Sequence, residues 1–225
     1  MRGDLTDVTI LLDRSGSMQS IREDTIGGVN AFLADQRKVP GECLVSISQF
    51  DNLFESVYVA KRLDEAADLT KETFVPRGST ALYDAICRVI DETGRRLQAI
   101  PEEERPGLVV VVIVTDGFEN ASRRHNIHEV NERISTQRDQ YKWKFVFLGA
   151  NQDAIATGEK LGVQSGLIMT YAASGKGTRA AYAAVSTNLA EARVNAMSGQ
   201  SVSMGFSNEQ REEQDSEIKQ IGSGR

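Results

Sequence analysis

The run Leu108-Val-Val-Val-Val-Ile-Val114, closed by Thr115-Asp-Gly117, constrains this fold more than any other stretch. A strand with one wet face alternates apolar and polar residues. An unbroken β-branched run predicts a strand buried on both faces, which belongs in a parallel sheet covered by helices on either side. Parallel neighbours are reached only through crossovers of a dozen residues or more, usually helical.

The rest of the chain supplies such units. Asp7 to Leu12 reads as a buried strand ending at Asp13, followed by the polar loop Arg14-Ser-Gly-Ser-Met18. Ile21, Ile26, Val29, Phe32 and Leu33 recur at helical spacing, and Pro40-Gly41 stops that helix. Cys43 to Phe50 and Leu53 to Ala60, joined by Asp51-Asn52, read as an antiparallel hairpin. Pro76-Arg-Gly-Ser-Thr80 opens a helix through Leu82, Ala85, Ile86, Val89, Ile90 and Leu97. Beyond the central strand the pattern predicts a helix over 125–140, a strand over 143–148 anchored by Trp143, and a helix-capping loop over 149–153. A strand over 165–171 and an Ala-rich helix over 179–197 follow; the thin apolar stripe of that helix reads as lightly held. Strands alternate with helices throughout, so the class is α/β with both sheet faces covered. From Ser198 onward the sequence turns polar, and beyond Asn208 the expectation is a disordered or weakly helical tail.

Composition narrows the function classes. Among 225 residues, 26 Lys+Arg stand against 32 Asp+Glu, a net charge of −6. Nucleic-acid binders normally present a basic footprint, so nucleic acid is not an expected partner. No apolar run approaches the ~20 residues that span a bilayer, and Met-Arg-Gly-Asp is no secretory leader. The expectation is a cytoplasmic chain without a membrane partner. Cys43 and Cys87 cannot make a disulfide framework or a Cys-rich zinc site and read as buried hydrophobes.

Chemistry in an open α/β sheet sits beyond the carboxyl ends of its strands. Two predicted strands end in aspartate, Asp13 and Asp116. The first loop adds Ser15 and Ser17, and a third loop brings Thr80 to a helix start. Five hard oxygen groups, Asp13, Ser15, Ser17, Thr80 and Asp116, are candidates for one magnesium-like site. Taken singly, Asp13 or Ser17 reads equally as a helix cap and Asp116-Gly117 as a turn.

Asp13-Arg-Ser-Gly-Ser17, Gly78-Ser-Thr80 and Val114-Thr-Asp-Gly117 together resemble the von Willebrand factor A (VWA) domain and its metal-ion-dependent adhesion site (MIDAS). The resemblance runs from about Leu5 to Met197, leaving 198–225 as a polar tail. It implies a doubly wound, Rossmann-like three-layer sandwich, with a mostly parallel six-stranded sheet and one antiparallel edge strand. It also implies Mg2+, with Mn2+ or Ca2+ as substitutes, held by Ser15, Ser17 and Thr80 with Asp13 and Asp116 close by or bridged through water. Stretches such as Phe147-Leu-Gly-Ala-Asn-Gln-Asp153 are similar to stand-alone bacterial or phage members.

The expected function is therefore a non-enzymatic, metal-dependent module that takes an acidic side chain of a protein partner. Arg14, Met18, Arg77, Phe118 and Glu119 are expected around the ion, with Arg14 and Arg77 bonding the partner carboxylate; Tyr83 and Phe118 read as rim or core residues. The alternatives are a Mg2+-dependent hydrolase or nucleotide-binding protein using the same site, or a structural subunit of a bacterial stress or defence complex. A haloacid-dehalogenase-like phosphatase needs a second aspartate where Ser15 stands. Ser174-Gly-Lys-Gly-Thr178 lacks the first glycine of a P-loop and reads as a helix cap with a solvated lysine. His125 and His128 read as part of a surface helix.

Overall fold

A computed structural model describes residues 1–150 and 153–223. Its strands are β1 (Arg2–Asp13), β2 (Glu42–Phe50), β3 (Phe54–Arg62), β4 (Pro106–Thr115), β5 (Lys144–Ala150) and β6 (Ile168–Tyr171). Its helices are α1 (Arg22–Gln36), α2 (Leu82–Gln98), α3 (Ile127–Tyr141), α4 (Ala154–Lys160), α5 (Gly175–Met197) and α6 (Asn208–Ser223). The strands form one sheet in the order β3-β2-β1-β4-β5-β6. Only β3 runs antiparallel, pairing with β2 at the edge, as the hairpin and the resemblance predict.

The β-branched run lies where its pattern demands. β4 sits between β1 and β5, and Leu108 to Val114 are buried throughout. Helix α1 packs beside α5 on one face, and α2 beside α3 on the other. Gly28 of α1 leaves the space that the Tyr182 ring of α5 fills, so this helix pair approaches closely. Trp143 is buried and stacks on Phe145 with ring centroids 6.2 Å apart. Cys43 and Cys87 are free and buried, and burial pushes their thiols up to about 11 and about 12.

Three expectations need correction. First, β1 begins at Arg2, five residues before the predicted strand, because its backbone pairs there with its neighbours: Arg2 is in register with Pro106 and donates to Arg105 O at 2.7 Å, and Leu5 is in register with Glu42. Second, α5 is firmly held rather than lightly held. Arg193 near its C-terminal end is buried and donates to Gln36 O at 2.8 Å and Gly41 O at 3.1 Å, beyond which α1 has ended. At the other end Arg179 pairs with Asp24 at 2.8 Å. Helix α5 also starts earlier than predicted, at Gly175, where Ser174 Oγ accepts from Gly177 N at 3.0 Å and Lys176 pairs with Glu217 at 3.1 Å. Third, the polar segment beyond Asn208 is a docked helix. Arg211 of α6 donates to Ile168 O at 2.8 Å, and Gln214 accepts from Ala172 N at 3.1 Å while donating to Gly177 O at 2.9 Å. Polar side chains thus cover the outer edge of β6, a task that apolar counting does not detect.

Asp153 caps α4 by accepting from Ala156 N at 3.1 Å. Asn151 and Gln152, part of the predicted loop and of the Phe147-to-Asp153 stretch, lie outside the described residues, as do Gly224 and Arg225 at the end of the predicted tail.

Candidate functional site

Parallel register brings the chemistry to one end of the sheet. Leu12 pairs with Val114 and Thr115 with Gly149, so Asp13 and Asp116 emerge side by side from β1 and β4. Asp13 is fully buried, and both of its oxygens are engaged. Oδ1 accepts from Ser15 N at 2.7 Å and Oδ2 from Thr115 Oγ1 at 2.6 Å. Ser15 Oγ lies 3.1 Å from Ser17 Oγ, and Ser17 Oγ donates to Asp116 Oδ1 at 2.6 Å. Four of the five candidates therefore form one chain of contacts.

Thr80 joins them through packing. Its backbone is fixed by Asn120: Thr80 N donates to Asn120 Oδ1 at 2.9 Å, and Asn120 N donates back to Thr80 O at 3.0 Å. A Cβ at Gly117 would stand 3.3 Å from Thr80 Oγ1 and 3.7 Å from Ser17 Oγ, so these hydroxyls flank the same glycine. Gly16 N donates to Gly78 O at 3.2 Å and ties the first loop to the third.

The capping alternative can be tested directly. A 3-10 turn over Gly16–Ile21 precedes α1, and neither has a side-chain cap bond. Asp116 accepts from Ser17, whereas the turn amide of Gly117 is taken by Thr115 Oγ1 at 3.2 Å. The hydroxyls thus cap no helix, and although Asp13 Oδ1 also closes the turn to Ser15 N, Ser17 Oγ faces Ser15 Oγ and Asp116 Oδ1.

Two carboxylates side by side, one buried and one half-buried, are costly. Burial raises the Asp13 carboxyl to about 6, against the bonds from Thr115 and Ser15, and the Asp116 charge raises it further. Burial raises Asp116 as well, against the bond from Ser17. Among the described residues no three His, Cys, Asp or Glu side chains gather as a metal cluster. The donor set is instead two carboxylates and three hydroxyls, all hard oxygens, which suits a divalent cation that keeps part of its water shell. A cation there would relieve the charge that burial penalises.

The expected rim is partly wrong. Arg14 is 4% exposed, bonded to Asp51 at 3.1 Å and Glu55 at 2.6 Å, so it is not available to a partner. Arg77 donates through Nε to the same Asp51 at 2.8 Å but stays half exposed. Two arginines and two acids neutralise one another within the loops. Met18 is wholly buried in the core. Glu119 is a brace: it accepts from Tyr83 N at 2.9 Å, Ala121 N at 2.8 Å and Ser122 N at 2.7 Å. Phe118 remains at the surface, 64% exposed, and Tyr83 is half buried against the core. Sequence reasoning missed Thr115, Asn120 and Asp51, whose partners stand far away in the chain. His125 lies beside α3, near Glu129 at 3.2 Å, as a surface-helix residue.

No family model and no curated protein matches the chain. Solved structures do. Proximal thread matrix protein 1 from the mussel byssus, described with a zinc-occupied MIDAS motif, is 15% identical with a TM-score of 0.57, over 82% of this chain and 46% of that one. A von Willebrand factor type A protein from Catenulispora acidiphila is 15% identical with a TM-score of 0.55, over 85% and 42%. The SpRpn10 VWA domain is 11% identical with a TM-score of 0.55, over 80% and 94%. The chain thus spans less than half the length of the first two. At these identities the likeness shows the fold, and the fold is VWA-like: a six-stranded, mostly parallel sheet with an antiparallel edge strand, flanked by helices. Among the described residues no helix is long and apolar enough to cross a membrane.

Proposed function

We propose that this chain is a divalent-metal-dependent protein-binding module, with Mg2+ as its ion and an acidic side chain of a partner as its ligand. The observation that carries the reading is the set of hydroxyls that cap no helix and stand beside two adjoining carboxylates, Asp13 buried and Asp116 half-buried. Ser15, Ser17 and Thr80 would hold the ion, with Asp13 and Asp116 providing its counter-charge. When bound, the metal supplies a Lewis-acidic position that attracts a carboxylate. The hydroxyls are neutral and cancel none of its charge, which favours an anionic partner group. Thr115 and Ser15 N orient Asp13, Asn120 fixes Thr80, and the Gly16–Gly78 bond locks the loops together. The carboxylates are spent as counter-charges, which supports binding over hydrolysis: neither is left beside the ion as a general base.

Calorimetry of Mg2+ binding tests the site. Wild-type protein should bind, and Asp13→Ala and Thr80→Ala should each bind markedly more weakly; unchanged affinity in both variants sinks the assignment. A phosphoester and ATP screen tests the class, since turnover that requires Mg2+ and disappears in Asp116→Ala would replace a binding module with an enzyme.

A further inference from the structure

Beside the metal loops runs a groove of about 420 Å³, between the β2–β3 turn, one face of α2 and the segment Arg124-His125. Its upper end is lined by Ala81, the neighbour of Thr80, and its lower end by Arg95. Those two lie fourteen positions apart along the helix, or ~21 Å at 1.5 Å per residue. An extended peptide covers that distance in about six residues.

The carboxylates that line the groove are already engaged. Asp51 holds Arg14 and Arg77. Asp91 pairs with Arg133 at 3.0 Å and Glu92 with Arg88 at 2.8 Å. Asp84 accepts from the backbone N–H groups of Arg123 at 2.9 Å, Arg124 at 3.0 Å and His125 at 2.8 Å. Arg88 is further fixed over the Phe54 ring, 4.3 Å from its centroid. Arg95 and Arg124 are different: both are exposed, both line the groove, and neither side chain has an acidic partner among the described residues. In a chain of net charge −6, two uncommitted guanidiniums sharing one groove that opens at the metal loops form a directed feature.

We infer that this groove receives an acidic segment of the partner polypeptide, resting on the metal-dependent binding reading above. One carboxylate of that segment meets the metal loops, and the acidic residues beside it meet Arg124 and Arg95. A guanidinium fork takes a carboxylate in two parallel hydrogen bonds, and the spacing selects a run of acids over a single one. The partner chemistry is thus a short extended acidic stretch rather than one isolated glutamate.

The probe is fluorescein-labelled hexaglutamate, read by anisotropy in Mg2+ against hexaglutamine. Wild-type protein should bind hexaglutamate, and the double variant Arg95→Glu, Arg124→Glu should bind about tenfold more weakly, as two exposed charge pairs predict. Its Mg2+ affinity by calorimetry should be unchanged, because neither side chain bonds Asp13, Ser15, Ser17, Thr80 or Asp116. Equal binding of hexaglutamate by wild type and double variant, or none by wild type, overturns the groove assignment. If hexaglutamate binding ignores Mg2+ and Asp13→Ala but still falls in the double variant, the groove stands and the metal reading fails. If oligothymidylate of equal charge binds as tightly and is lost in the same variant, an acidic polypeptide is the wrong class and the inference is overturned.

Discussion

Asp13→Asn should stabilise the metal-free protein at neutral pH while removing its metal site. The buried carboxyl titrates at about 6 instead of its ordinary 3.8, so the folded state holds a proton that the unfolded state has released between those values. Stability therefore falls as pH rises through that window, and the loss is complete above the folded value. The size follows from the displacement: about 2.2 pH units at about 1.4 kcal/mol each is ~3 kcal/mol. Asparagine fits the place. Its oxygen can accept from Ser15 N, and Thr115 Oγ1 can turn its proton to Gly117 O, 3.1 Å away, and accept from the new amide. Urea unfolding in EDTA, at about pH 3, below both values, and again well above 6, measures both proteins. Carboxylates away from the site titrate alike in each, so the difference between the two proteins reports Asp13 together with its coupling to Asp116. That difference should grow by ~3 kcal/mol in favour of Asp13→Asn from the acidic to the neutral condition. A difference that stays constant with pH refutes the buried, penalised carboxylate. Excess Mg2+ should then stabilise wild type alone, by ~2.7 kcal/mol at a hundredfold excess over Kd.

Three further outcomes are expected. Thr115→Val removes the hydroxyl donor to Asp13 Oδ2 and so favours the protonated carboxyl; Mg2+ titrations should show affinity falling most near pH 6 and recovering at higher pH. Gly117→Val places methyls against Thr80 Oγ1 and Ser17 Oγ, so calorimetry should show Mg2+ affinity reduced at least tenfold with the fold retained by circular dichroism. Gln214→Ala leaves Ala172 N and Gly177 O without their partner, costing ~2 kcal/mol, and Tm should drop by about 4–8 °C in calorimetric scans.

Much of this arrangement was legible in the sequence because it is carried by short-range patterns. The Leu108–Val114 run predicts a central strand from its composition alone, and Asp13, Ser15 and Ser17 meet because two residues of spacing fix them at a strand end. What escaped reading depends on distant pairing. Thr115 reaches Asp13 across 102 positions, and Arg14 is buried by Asp51, 37 positions on. An arginine beside a site reads as exposed until its partner is located. Helix α6 was hidden for a related reason: it is held by Arg211 and Gln214 on backbone groups, and hydrogen-bonded polar residues leave no mark in a hydrophobicity pattern. The same blindness applied to Arg193, whose partners are carbonyls of the last residue of α1 and of the segment after it.

The covering of β6 has a consequence in time. Arg211 follows Ile168 by 43 residues, and a ribosome adds roughly 5–20 residues per second. For some seconds of synthesis β6 can pair with β5 while the segment that covers its other side has not yet left the ribosome. Throughout that interval the nascent chain offers a bare strand edge to other nascent chains. Holdase chaperones that occupy strand edges would meet this protein at that stage, and slower translation of the stretch between Ile168 and Arg211 would lengthen its exposure.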